Sequence, residues 1–297
     1  MLDFLQLVIA GLATGSIYAL AAVGFTLVWQ ASQTINFAQG EFVMLPAFFA
    51  LTAMNVLGVP FWLAALIAIA VSMALLGIVF KFAIVDPLIK HGPMPLVIST
   101  IAVAIFLKDG VKEFYSAEAQ PFPSILPDTL INILGVKISI AQIGVFAVAM
   151  GAILALQYFL SNTLTGRQMQ ATAQNPTVAR ILGVPVERMI LYTFLINAGL
   201  AAVASLLISP IYFAKFSSGE PLGLAAFVAA IVGGFNQVRG AIAGGLIVGV
   251  VDNLAAGYLD RIGIASSYRQ AIPLLLLVLV ILFRPQGLLG RKEERAV

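Results

Sequence analysis

Residues 4–29, FLQLVIAGLATGSIYALAAVGFTLVW, carry no charged side chain over a length greater than the roughly 20 residues an α-helix needs to cross a bilayer. The same reading applied outward places further apolar runs at about 42–58, 61–80, 95–113, 139–160, 188–209, 222–235, 241–258 and 270–284. The fold class that follows is an all-α membrane protein, a polytopic helical bundle of 8–9 spans. The doubt in the count lies at 222–258, which reads either as two spans or as a re-entrant hairpin. Composition agrees: 61% of the 297 residues are hydrophobic and 10% charged, against roughly 25% charged in soluble domains. A mean hydropathy of +1.04 excludes a soluble globular enzyme. The N-terminus MLDFLQLV has no basic region before its apolar run and reads as a retained first span rather than a cleaved signal. The whole of 1–297 is read as a single transmembrane domain.

The chain has no cysteine and one histidine, His91, so no metal site is expected, and no cofactor. The net charge of +3 gives no reason to expect a nucleic-acid partner. Placement of the charges matters more. Ten cations (Lys81, Lys90, Arg167, Arg180, Arg188, Arg239, Arg284, Arg291, Lys292 and Arg295) fall on one side of the proposed topology, and six (Lys108, Lys112, Lys137, Lys215, Arg261 and Arg269) on the other. The positive-inside rule then puts the 161–187 loop and the C-terminus in the cytoplasm. Pairs of small residues four apart, Gly11–Gly15, Gly240–Gly244 and Gly245–Gly249, suit close approach of helix backbones.

INFAQGEF (Ile35–Phe42) and FNQVRGAI (Phe235–Ile242) each interrupt an apolar run with Asn-x-x-x-Gly and are followed by a further apolar helix. Corresponding breaks in two halves are a mark of transporters built from repeats, so the bundle is read as two interrupted repeat halves. A helix broken at membrane depth frees backbone groups that only protein or water can satisfy, which makes Asn36, Gln39 and Asn236 candidates for a translocation pathway. The alternative is a pair of interfacial turns. Asn197 and Asp252 lie deep in spans and are further pathway candidates; Asp252 reads equally as a buried hydrogen-bond anchor. Glu41, just after the first break, is either a pathway residue or a first-turn acid serving a helix N-terminus. The outer loop 114–138, with three prolines, is either a linker lying on the surface or a docking surface for an extracytoplasmic partner.

The 161–187 loop has legible punctuation. Residues 167–174 favour a helix; Asn175 can cap a second one with Pro176 at its first position, and Gly183 can end it in the left-handed conformation. Met169, Ala173, Val178, Ile181 and Leu182 are expected to supply its apolar contacts. Such a structured knob is where a soluble motor could push, or it is an amphipathic connection lying on the membrane.

GLATGSIYALAAVGFTLVW with INFAQGEFVML (Gly11–Leu45), GRQMQATAQNPTVARILGV (Gly166–Val184), FVAAIVGGFNQVRGAIAGGLIVG (Phe227–Gly249) and LFRPQGLLG (Leu282–Gly290) occur in that order. Together they resemble the LivH-type permeases of branched-chain amino acid ABC transporters, nearly end to end. The resemblance implies a non-catalytic permease of the bacterial inner membrane that forms half of a translocation pathway. Its implied partners are a second homologous permease in a heterodimer, two ATP-binding subunits and a periplasmic substrate-binding protein. The 161–187 loop then corresponds to coupling helices, with Gly166, Arg167, Ala171, Ala173, Ala179, Arg180 and Gly183 as the matching contact positions. Gln39 stands where many members carry histidine. The family also includes permeases for urea and short-chain amides, so those substrates stay open. The chain has no G-x-x-x-x-G-K-[ST] loop, and ATP hydrolysis is expected in partners. An ion-coupled secondary transporter using Asp252 or Glu41 is the competing class. An intramembrane hydrolase has no supporting motif, since G-x-S-x-G and H-E-x-x-H are both absent.

Overall fold

The computed structural model describes residues 2–124, 127, 129–133 and 136–290; Arg291, Lys292 and Arg295, counted above on the cytoplasmic side, lie outside the described residues. Twelve α-helices and one hairpin make up the described chain. They are α1 (Leu2–Ser32), α2 (Gln39–Leu57), α3 (Phe61–Ser72), α4 (Asp86–Ile89), α5 (Pro93–Tyr115), β1 (Leu130–Ile133), β2 (Val136–Ser139), α6 (Ile140–Asn162), α7 (Leu164–Gln174), α8 (Pro176–Ile181), α9 (Val186–Tyr212), α10 (Gly219–Gly233), α11 (Val238–Tyr258) and α12 (Ala271–Phe283). Two π-helical stretches, Met73–Val79 and Lys81–Val85, run from α3 into α4, so Phe61–Ile89 forms one apolar span of 29 residues. The expected end of that span at residue 80 is therefore corrected. Lys81, placed in a loop by its charge, is buried inside the helix with Nζ 2.7 Å from Asp86 Oδ2. That pairing is what lets the helix run through a lysine.

Seven helices are long and apolar enough to cross a membrane: α1, α2, Phe61–Ile89, α5, α6, α9 and α11. The remaining two expected spans, 222–235 and 270–284, correspond to the shorter apolar helices Gly219–Gly233 and Tyr268–Phe283. At 1.5 Å per residue the 15 residues of α10 reach about 22 Å, short of a hydrocarbon core of about 30 Å. Both Asn-x-x-x-Gly segments fall at helix interruptions: residues 33–38 separate α1 from α2, and residues 234–237 separate α10 from α11. Past residue 129, β1 and β2 pair antiparallel, with Leu130 opposite Ser139 and Ile131 opposite Ile138, where the sequence reading places only a loop.

The chain divides into two compact units, one of residues 1–26, 124–148 and 224–297, the other of residues 27–123 and 149–223. In the first unit α1 and α11 meet through glycine. A methyl group added at Gly11 would run into Val250, one at Gly15 into Gly245 and Leu246, and one at Gly249 into the Gly15 backbone. Hydrocarbon gives helices no hydrophobic reason to associate, so close backbone packing of this kind supplies the attraction. The same unit holds a cluster of edge-on rings, Phe25 with Phe227 at 5.7 Å and with Phe235 at 5.6 Å. Asp252 of α11 accepts from Arg269 Nε and Nη2, both at 2.8 Å, and from the Tyr18 hydroxyl at 3.2 Å.

The second unit is built on α2, the α3 span and α9. Phe42, Phe80 and Phe194 stack through its centre, with centroids 5.0 and 6.1 Å apart. Pro46 interrupts the ladder of α2, and Ser205 Oγ of α9 accepts from the next amide, Ala47 N–H, at 3.0 Å. Buried hydroxyls elsewhere fold back onto their own helices, as Ser72 does on Ala68 O and Thr193 on Met189 O.

Three stability measurements check this packing. Gly249→Leu forces α11 away from α1 and is expected to cost about 3 kcal/mol or more, read as a lower melting temperature in detergent. Gly110→Ala, which meets nothing within 4 Å, is expected to be neutral or stabilising by up to about 1 kcal/mol. Arg269→Met leaves the Asp252 carboxylate buried without its cation and is expected to cost about 3–5 kcal/mol, most of it recovered by adding Asp252→Asn. An Arg269→Met protein as stable as the native one would show that the ion pair contributes nothing.

Candidate functional site

The 161–187 loop follows its sequence closely. Thr163 Oγ1 accepts from Gly166 N–H at 3.0 Å and so caps α7, which starts at Leu164 rather than at 167. Asn175 Oδ1 accepts from Thr177 N–H and Val178 N–H at 3.1 and 3.0 Å, Pro176 opens α8, and Gly183 turns the chain with φ +81°. The capping residue, the proline and the glycine all occupy the predicted positions. Gly166 is buried because α7 lies directly on Phe159 and Leu160, where no side chain fits. Ala179 is buried too, while Ala171 and Ala173 are half-buried. Arg167 and Arg180 are exposed; Arg167 Nε donates to Ser161 O at 3.3 Å, and Arg180 Nη2 sits 3.2 Å from Glu187 Oε1. As a surface ion pair, the latter adds little stability.

One expectation about this loop is reversed. Met169 is buried as predicted, but Val178, Ile181 and Leu182 are not: Ile181 is 79% and Leu182 75% exposed. With Leu164, also 75% exposed, they put bare apolar surface on a short, firmly capped pair of helices. Their apolar character points to contacts. It does not say whether those are made inside the loop or beyond it.

The pathway candidates separate. In the second unit, Gln39 at the start of α2 and Asn197 in the middle of α9 exchange two hydrogen bonds: Gln39 Nε2 donates to Asn197 Oδ1 at 2.8 Å and Asn197 Nδ2 to Gln39 Oε1 at 3.0 Å. Both are fully buried. Asn36 Oδ1 accepts from Ala38 N–H at 3.0 Å, which shapes the break into a turn. Its Nδ2 and the Glu41 Oε2 are buried without a hydrogen-bond partner. Glu41 lies in the first turn of α2, and its carboxyl rests against Gly219, the first residue of another helix, α10. Glu220, beside it in sequence, pairs with Lys108 at 3.2 Å.

In the first unit, Asn236 is exposed in the turn between α10 and α11. Asp252 is held by Arg269 and Tyr18, as a buried hydrogen-bond anchor would be. Neither of its partners had a local signal. Tyr18 is 234 residues away, and Arg269 was counted only as a loop charge.

Comparison with known proteins then bears on what this arrangement serves. The chain is 35% identical to the high-affinity branched-chain amino acid transport system permease protein BraD of Pseudomonas aeruginosa, over 99% of this chain and 98% of that protein. It is 32% identical to the corresponding permease protein LivH of Escherichia coli, over 100% of this chain and 98% of that one. Among solved structures, PsaBC from Streptococcus pneumoniae in complex with Fab contains a chain of similar fold, with a TM-score of 0.50, 12% identity and coverage of 95% of this chain and 92% of that one. At that identity the likeness is one of fold alone. A family model described as the branched-chain amino acid transport system permease component matches residues 7–281, and with full-length relatives above 30% identity this chain belongs to that permease family.

Proposed function

We propose that residues 1–297 act as one permease domain, the membrane-spanning, non-catalytic subunit of an ATP-driven importer of branched-chain or related amino acids. It works beside a second, homologous permease in a bacterial inner membrane, with the C-terminus and the 161–187 loop in the cytoplasm. A periplasmic binding protein delivers substrate, and two ATP-binding subunits act on α7 and α8. The observation that carries this reading is the capped α7–α8 pair, whose exposed Val178, Ile181 and Leu182 form an apolar tip on a rigid base in a member of a transport-permease family. Rigid short helices pass on a displacement that a floppy loop would absorb. Apolar side chains at the tip, with exposed Arg180 next to Ile181 in sequence, have the composition of an interface centre with a polar rim.

Gln39 and Asn197 are proposed to line the pathway, with Asn36 and Glu41 beside the same break. Selection by a binding protein leaves the membrane path needing only weak polarity, which a pair of neutral amides supplies.

Leu182→Asp and Arg167→Glu are expected to lower ATP-coupled uptake about tenfold or more while the chain still folds and inserts. Unchanged uptake with both variants overturns the coupling role. For the pathway, the pair Gln39→Leu with Asn197→Leu removes both partners together, so little stability is lost. Uptake falling about tenfold with an unchanged melting temperature supports the pathway role; unchanged uptake makes the amides packing glue. Tagging the chain in its native host and identifying what co-purifies tests the assembly. Two P-loop ATPases and a second permease are expected, and the ligand of the co-purifying binding protein separates amino acids from urea or short-chain amides. Ion-driven uptake by the purified chain alone would instead establish a secondary transporter.

A further inference from the structure

The terminal block LFRPQGLLG (Leu282–Gly290) belongs neither to a span nor to the coupling loop, yet its backbone is fully committed. After α12 ends, Gly287 N–H donates to Arg284 O at 2.8 Å, closing a turn with Pro285 at its second position. Gly287 then takes φ +80° and sends the chain back against the end of α10. There Leu288 N–H donates to Val232 O and Leu289 N–H to Gly233 O, both at 2.9 Å.

These two carbonyls are the ones α10 cannot satisfy itself. A helix leaves its last four carbonyls without intrahelical donors. In α10 these belong to Ala230, Ile231, Val232 and Gly233, and Gly234 N–H serves the first two, at 3.0 and 3.1 Å. The tail serves the other two, from more than fifty residues further along the chain. The fit is made by backbone: Gly287 is buried with no room for a methyl group against Gly234 and Ile231 O, whereas Leu288 and Leu289 are 37% and 49% exposed.

We infer that Gly287–Leu289 is a C-terminal cap for α10 supplied by the tail, a positioning element that fixes the second helix break at residues 234–237. Without it the last turn of α10 frays and the break, with Asn236 in it, loses its geometry. The consequence for transport rests on the permease reading; the clamp itself does not.

Leu288→Pro deletes the donor to Val232 O, whereas Leu288→Ala keeps it. In the purified full-length chain, hydrogen exchange of the peptide carrying Gly234–Gln237 is expected to speed up about tenfold or more in Leu288→Pro and to stay native in Leu288→Ala. Should Leu288→Pro not be recovered folded, Gly287→Ala, which pushes the turn off Gly234, is expected to give the same acceleration. Native exchange in the proline or Gly287→Ala protein, or equal acceleration in the alanine one, overturns the clamp. In the assembled transporter, Leu288→Pro is expected to keep ATP hydrolysis while uptake per ATP falls about fivefold or more, with Leu288→Ala native. Native uptake per ATP in Leu288→Pro overturns the positioning role. A native complex that imports nothing refutes the permease reading and leaves the exchange result to decide the clamp.

Discussion

Backbone N–H and C=O groups have no partner in hydrocarbon, so a helix interrupted at or near membrane depth survives only where the protein supplies one. Much of what distinguishes this chain from a plain apolar bundle is arranged around two such interruptions. At the first, Asn36 folds its own amide oxygen onto the Ala38 N–H, and Gln39 begins α2 already bonded to Asn197. At the second, Gly234 and the tail divide the last carbonyls of α10 between them. Within α2 the ladder fault at Pro46 is met by Ser205 in the same spirit. Each device is a short-range donation whose loss would leave a buried polar group unpaired, costing about 1–3 kcal/mol.

Helix association obeys a different constraint. Leucine against leucine is no better than leucine against lipid, which is why α1 and α11 meet through Gly11, Gly15, Gly245 and Gly249. Two of the buried charged residues follow the corresponding rule for ions, whereas Glu41 Oε2 is buried with no hydrogen-bond partner among the described residues. Lys81 is buried only with Asp86, and Asp252 only with Arg269 and Tyr18. Such pairs break even at best against an apolar replacement, so their worth lies in fixing which elements meet. Asp252 ties α11 to α1 and to the turn before α12, an arrangement better suited to holding than to carrying an ion.

Local signals were readable in sequence and long-range ones were not. Asn175, Pro176 and Gly183 act on backbone within a few residues, so α8 and its end follow from the letters alone. The glycine pairs were visible as pairs; that Gly15 meets Gly245 and Gly249 needed the fold. Lys81 looked like a loop residue because a lone lysine ends an apolar run, and only Asp86 beside it, one turn on, reveals the helix continuing. The two short apolar helices have the hydropathy of spans without the length of the other seven, because composition measures hydropathy while crossing also needs length. Val178, Ile181 and Leu182 are expected to make apolar contacts because they are apolar, and side-chain character does not say whether such residues turn inward or outward.

That reversed face bears on how force could enter the membrane. An exposed apolar tip on a polar loop is a liability unless something covers it. A loop that merely lay on the membrane would need no buried Gly166, no Ala179 packed inside and no double cap at Asn175; it could be soft. Here the apolar residues sit at the end of a stiff base, with Arg180 next to Ile181 in sequence. A rigid base pre-organises such a surface, so little conformational entropy is lost when a contact forms on it.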